Sequence, residues 1–385
     1  MRWSVVAVLA TVAWAVAAWL AGGGAPARSA VVSWGLGLAL GIALQRGRFC
    51  FFCIFRDLFE RRLVGGAFAV LMALAVGSVG YAIVFSVWVP DPSAGRLPPD
   101  AHVGPVSWLL AVAGLVFGVG MTLAGGCVSA LLYRIGEGYA RAPFGLLGVL
   151  VGFGLGFLTW RPLYWLAIAD APVVWLPARF GHAGALALQL ALLAGLGAAL
   201  LALRPVAEAR PATAWTVRQV LRAVLRDRWS PAATGAIVGA LAVIAYFLVA
   251  PLGVTAQLGS LARTAMDGAG WLGDRLPGLD VLAGCATVVA TVVLDNGWLI
   301  LGLVVGAAAA AFAADRFRPT ELSVANATTA AFGGVLMGWA SMIALGCTVG
   351  VLLSGTMAGS GSGWTFLTTC LLGTWGALKL GWGRG

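Results

Sequence analysis

Charge is scarce in this chain. Only 10% of its 385 residues are Asp, Glu, Lys or Arg, against roughly 25% in soluble domains. Together with a 61% hydrophobic content and a mean hydropathy of +0.96, this excludes a water-soluble domain as the main body. The sequence carries no nucleotide-binding motif, which argues against direct use of ATP. Histidine is limited to His102 and His182, and Cys50 and Cys53 form a C-x-x-C with no second copy. That inventory argues against a structural zinc site, and no cofactor or metal is expected. The six cysteines lie in or beside apolar segments rather than in an extramembrane domain, which argues against a secreted disulfide framework.

What is present is a series of apolar runs of about 17–25 residues, the length that crosses a bilayer core. Spans are predicted near 4–20, 30–45, 64–89, 106–124, 143–160, 183–203, 232–250, 297–313, 322–340 and 364–379. Shorter apolar pieces near 48–59, 127–135, 254–266, 278–294 and 347–357 fit re-entrant or broken helices better than full spans. The chain reads as an all-α polytopic membrane protein. The first 27 residues resemble a signal peptide, but residues 1–29 are read as an uncleaved first helix and loop, because many spans follow.

A net charge of +10 would point to nucleic acid in a soluble protein. Here it reflects arginines on cytoplasmic loops, and no nucleic-acid partner is expected. The longest polar stretch, 204–231, carries Arg204, Arg210, Arg218, Arg222, Arg226 and Arg228 and is placed inside. Within it, Thr216 to Trp229 has the pattern of an amphipathic surface helix. The Pro90 to Pro105 loop, with one arginine, is placed outside. This divides the chain into a first membrane repeat at 30–203, a cytoplasmic linker at 204–231 and a second repeat at 232–385.

Two stretches, Gly118 to Cys127 and Gly338 to Cys347, end in Gly-Cys inside apolar surroundings. At the offset that relates the two cysteines, Gly118 meets Gly338, Ala124 meets Ala344, Gly126 meets Gly346 and Gly156 meets Gly376. The span before Cys127 runs inward and the span before Cys347 outward. That is the signature of two inverted, pseudo-symmetric halves, with a site at the midplane. A Gly-Cys at a helix break supplies free amide N–H groups, a helix N-terminus and a soft thiol. The set suits an anion that is oxygen-rich at one end and soft at the other, such as a sulfur oxyanion with a terminal sulfur. Gly125, Gly126 and Gly346 would supply N–H groups to the oxygens. Small residues that merely let helices pack are the competing reading.

A third stretch, Arg46-Gly-Arg-Phe-Cys-Phe-Phe-Cys-Ile-Phe-Arg-Asp-Leu-Phe59, places Arg46 and Arg48 at the membrane edge. They form either a basic cytoplasmic rim or an anion-attracting site. Its counterpart in the second half is read as Pro251 to Ala256, with Gly253 where Cys50 stands. Cys285 and Cys370 match no motif and are read as packing residues.

These motifs, with Leu-Ala-Gly-Gly-Cys-x-Ser-x-x-Leu-Tyr-Arg-Ile-Gly-Glu-Gly and Gly-Cys-Thr-Val-Gly-x-Leu-Leu-Ser-Gly, resemble the YeeE/YedE family of bacterial inner-membrane sulfur-compound transporters. The likeness covers roughly residues 30 to 380. It implies a pseudo-symmetric helical fold with short membrane-inserted helices lining a central pathway. It also implies a relay of thiosulfate along three thiols, matching Cys50, Cys127 and Cys347, and a cytosolic TusA-like sulfurtransferase as a possible partner beside membrane lipid. Two departures stand out: Phe51, Phe52 and Cys53 replace Phe-Thr-Gly, and Leu345 replaces a glycine before Gly346 and Cys347. The rival from another class is a membrane thiol–disulfide oxidoreductase, using Cys50–Cys53 or Cys127–Cys347.

Overall fold

The computed structural model describes residues 2–22, 25–202, 226–272, 276–279, 288–290 and 292–383. The described residues form helices joined by loops, with two isolated β-bridges and no strand. Most of the basic linker, including most of its expected surface helix, and Cys285 lie outside the described residues.

Helix α1 (Arg2–Ala21) docks on α2 (Ala25–Gly47), where Trp34 Nε1 donates to the Ala13 carbonyl at 3.1 Å. The first series continues with α3 (Phe51–Arg61), α4 (Gly65–Trp88), α5 (Trp108–Ala124), α6 (Val128–Glu137), α7 (Ala142–Leu163) and α8 (Leu176–Ala202). After the linker come α9 (Pro231–Leu248), α10 (Ala256–Gly268), α11 (Asp295–Ala313) and α12 (Val324–Ile343). A π-helical segment, Thr348–Gly355, and α13 (Gly361–Lys379) complete the chain.

Eight segments among the described residues are long and apolar enough to cross a membrane. A ninth is the bent pair Val324–Ile343 and Thr348–Gly355, broken by 44°. The tenth expected span coincides with α13, but Ser362, Thr365, Thr368, Thr369 and Thr374 dilute its apolar run. The short pieces at 48–59, 127–135 and 254–266 are the separate short helices α3, α6 and α10.

Helix α2 packs along α11 and α9 along α4; α7 packs along α12 and α13 along α5. The same pairs result when the series α2 to α7 is exchanged for the series α9 to α13, and α5–α12 and α2–α9 map onto themselves. Glycines set how closely the long helices approach. A β-carbon on Gly41 would overlap the Leu303 carbonyl of α11, and one on Gly338 the Val149 carbonyl of α7. The backbones therefore meet directly along these seams, as small residues permit in membrane helix pairs. This scaffold leaves the short helices between the seams, with their N-termini turned toward the interior.

Candidate functional site

Each motif cysteine stands at the start of a short helix. Cys50 is the N-cap of α3, Cys127 the N-cap of α6, and Cys347 precedes the π-helical segment. The first N–H groups of a helix have no intrahelical acceptor. At α3 one of them turns to sulfur: Cys53 N–H donates to Cys50 Sγ at 3.5 Å. Cys127 Sγ lies 3.3 Å from Ser129 Oγ. The thiols of Cys50 and Cys127 lie near each other in one buried core. All three motif cysteines are fully buried.

A similar cap stands at the start of α10. Thr255 occupies the N-cap position of α10, fully buried, with its side chain beside the buried Cys347. The structural counterpart of Cys50 is therefore Thr255 rather than Gly253. Gly253 sits two residues upstream, its carbonyl held by Asn296 Nδ2 at 2.7 Å. Cys50, Cys127 and Cys347 all lie fully buried in one core, so the starts of the short helices are gathered in the interior. Such termini carry partial positive charge and favour anions.

Glycine at the breaks has a specific cause in Gly125, which has φ +72° as the C-cap of α5. A β-carbon there would also collide with the Arg141 guanidinium. Gly126 follows, and its N–H closes the α5 turn on the Met121 carbonyl at 3.0 Å. In the second break the left-handed residue is Leu345, φ +58°, followed by Gly346, whose N–H bonds the Ser341 carbonyl at 2.8 Å. The N–H groups of Gly126 and Gly346 thus serve helix ends in this conformation. The free donors at the site come instead from the first turns of the short helices.

Arg134 was legible only as part of a motif, and the structure gives it a place. It donates to the Gly125 carbonyl and, at 3.0 Å, to Cys53 Sγ, while its guanidinium lies over the Tyr139 ring at 5.1 Å. Arg48 has φ +50° at the break after α2. It lines a cavity of about 450 Å³ together with Cys53, Asp57 and Arg62. Arg56 and Asp57 pair at 3.0 Å.

On the opposite side, the loop between α4 and α5 dips inward. His102 is buried, its ring against Gly350, where a β-carbon would come within 2.9 Å of it. Its Nδ1 has no hydrogen-bond partner among the described residues. The cavity it lines with Gly104, Ser107, Leu345 and Ser362 holds about 10 Å³, room for roughly one water. Cys370, fully buried on α13, faces the α5 seam near Gly118. No cluster of three His, Cys, Asp or Glu side chains suited to a metal occurs among the described residues. The described cysteines are all free thiols.

Fold and site together define a multi-pass membrane protein in which short helices present buried thiols at the centre of the bundle. Its sequence places it more closely. The profile of the sulphur transport family matches residues 46–376, and the chain belongs to that family. The thiosulfate transporter TsuA of Escherichia coli (strain K12) is 28% identical over 373 residues, covering 89% of this chain and 91% of the relative. TsuA of Spirochaeta thermophila is 26% identical over 368 residues, covering 88% and 95%. The probable transporter YedE of Escherichia coli matches over a shorter part, 28% over 150 residues, covering 39% and 35%.

Proposed function

We propose that the protein imports thiosulfate, or a related small sulfur oxyanion, across the bacterial inner membrane by relay along Cys127, Cys347 and Cys50. The observation that carries this reading is the cluster of thiols at converging helix N-termini. The names of the two full-length relatives support the choice of substrate. Thiosulfate is a dianion, and stripping its water is costly unless donors replace it. N–H groups of the short helices serve the oxygens, while thiols, weak donors and soft acceptors, serve the terminal sulfur. No bond is made or broken, so no cofactor, nucleotide or oxidant is needed.

Two inverted halves, 30–203 and 232–385, joined by the 204–231 linker, fit the exchangeable helix pairing and place the site between them. The basic linker would offer a docking surface to a TusA-like sulfurtransferase. The decisive experiment is uptake of labelled thiosulfate into proteoliposomes, with sulfate, sulfite and selenite as competitors. Saturable uptake that persists under dithiothreitol is expected. Uptake that requires an oxidant, with an obligatory Cys50–Cys53 or Cys127–Cys347 disulfide, would replace the relay by a thiol–disulfide oxidoreductase.

A further inference from the structure

We propose that Cys53 is a fourth thiol station, which with Arg134 receives the soft end of the anion from Cys50 and delivers it to the large cavity. This rests on the transport reading above. The sequence argument left Cys53 without a role, because it stands outside the repeated motif. Three observations give it one.

The first is continuity. Cys50 Sγ accepts the Cys53 N–H at 3.5 Å and lies near the Cys127 thiol in the same buried core, so the thiols form a chain rather than isolated points. The C-x-x-C spacing produces this directly. One residue caps the helix, and the other sits in its first turn with its N–H on the cap sulfur at 3.5 Å.

The second is access. Cys50, Cys127, Cys347 and Cys370 are sealed, whereas Cys53 is partly exposed. It lines the cavity of about 450 Å³ beside Arg48 and Arg62. A ligand leaving buried Cys50 for that cavity passes Cys53.

The third is charge. Arg134 meets no carboxylate within ion-pair distance among the described residues. Its donors go instead to the Gly125 carbonyl and to Cys53 Sγ. A guanidinium is costly to hold at membrane depth, and such residues usually mark ion pathways. Here it stands where an anion in transit would exchange thiol contacts for contacts with a cation. A cysteine placed only for packing would need neither the guanidinium nor the cavity. The passage is non-covalent: the anion gives up its contact with Cys50 as it gains one with Cys53 and Arg134.

The test uses the full-length protein in proteoliposomes. Cys53→Ala is expected to lower thiosulfate uptake by about tenfold, the worth of one hydrogen bond to a charged group. Cys53→Ser is expected to fall between Ala and wild type, with all variants eluting as the folded protein in gel filtration. A second readout does not depend on transport: labelling by a sulfonated, membrane-impermeant maleimide, mapped by mass spectrometry. Cys53 is expected to be the fast-labelled cysteine. Thiosulfate at about twice its dissociation constant should slow that labelling about threefold, with free glutathione as reference for reagent consumed. Sulfate should protect less.

If the wild type takes up no thiosulfate, the transport reading fails, and the labelling arm still decides whether Cys53 contacts the anion. Wild-type uptake by Cys53→Ala, or labelling at Cys53 unchanged by thiosulfate, would overturn the proposal. So would a Cys50–Cys53 disulfide in the active protein.

Discussion

The two helix-tip pairs differ in chemistry while sharing a design. On one side Cys50 and Cys127 face each other beside a partly exposed Cys53 and a cavity of about 450 Å³. On the other, Thr255 faces Cys347, and His102 and Leu345 line a space with room for roughly one water. A hydroxyl replaces a thiol, a leucine replaces a glycine, and a closed loop replaces an open mouth. On the proposed transport reading, the shared helix termini supply anion affinity, and the differences govern where the anion rests and which way it leaves. In this conformation Cys50 and Cys127 are sealed, and Cys53 beside them lines the open cavity.

Removing a thiol from either pair should have the largest effect. Cys127→Ser and Cys347→Ser keep a donor but lose sulfur's softness and size. Uptake is expected to fall by about tenfold or more for each, with folding nearly intact. Parallel uptake and gel-filtration measurements check this. If only one of the two mattered, the pairs would not be functional equivalents.

His102 comes next, through stability. The loop that carries it lies outside the membrane-spanning segments, and burial pushes its imidazole down from the usual 6.5 to about 4. Between those pH values the unfolded chain holds a proton that the folded protein does not, so stability rises with pH across that window. Acidification from pH 6.5 to 4 should therefore cost about 3 kcal/mol. Melting curves should show a falling midpoint in wild type, and the fall should flatten in His102→Gln. The other groups shown around the ring, Gly253, Gly350, Leu345 and Ser362, are not titratable.

Leu345→Gly would make the two breaks alike. Glycine holds the left-handed conformation without the strain of about 1–2 kcal/mol that leucine bears there. Losing a buried leucine side chain costs about 2–5 kcal/mol. The side chain outweighs the strain, so a net loss of about 1–3 kcal/mol is expected from denaturation midpoints. Maleimide should reach Cys347 faster in this variant, because the closed space beside His102 widens. A variant that gained stability would mean that Leu345 contributes little packing.

The smallest effect belongs to Thr255. Thr255→Val deletes the hydroxyl that meets Cys347, and uptake should drop by a few fold, about 1 kcal/mol. Thr255→Cys converts the pair to thiol and thiol and should retain uptake. Loss of uptake in the cysteine variant would show that the mixed pair is required.

Much of this was legible in residue order. The Gly-Cys breaks, the offset between Cys127 and Cys347 and the short pieces at 48–59, 127–135 and 254–266 all rest on local patterns of glycine and apolar residues. Those patterns survive folding because helix breaks are local events. Thr255 was missed because the loops after the paired short helices differ in length: α4 follows α3 closely, whereas α11 begins 27 residues after α10 ends at Gly268. No constant offset then aligns Cys50 with its counterpart, and a threonine before a helix looks like an ordinary cap. His102 was placed in an outer loop by polarity. Its burial depends on distant anchors: Tyr246 Oη donates to the Pro99 carbonyl at 2.7 Å, and Gly104 N–H to Ser362 Oγ at 3.3 Å. Arg134 could have been singled out as a lone cation within an apolar piece, a pattern that usually carries a role.

The seams at Gly41 and Gly338 bear on how such a molecule can move at all. Where backbone lies on backbone there is no side-chain layer to slide or repack, so parting the helices forfeits many close atomic contacts with nothing to replace them. The long helices act as a chassis. Freedom to rearrange is left to the parts that hang from it: the tips of the short helices, the Arg134 side chain and the loop that carries His102. On the proposed relay, the guest changes its handholds one at a time, with the frame standing still while the cargo passes.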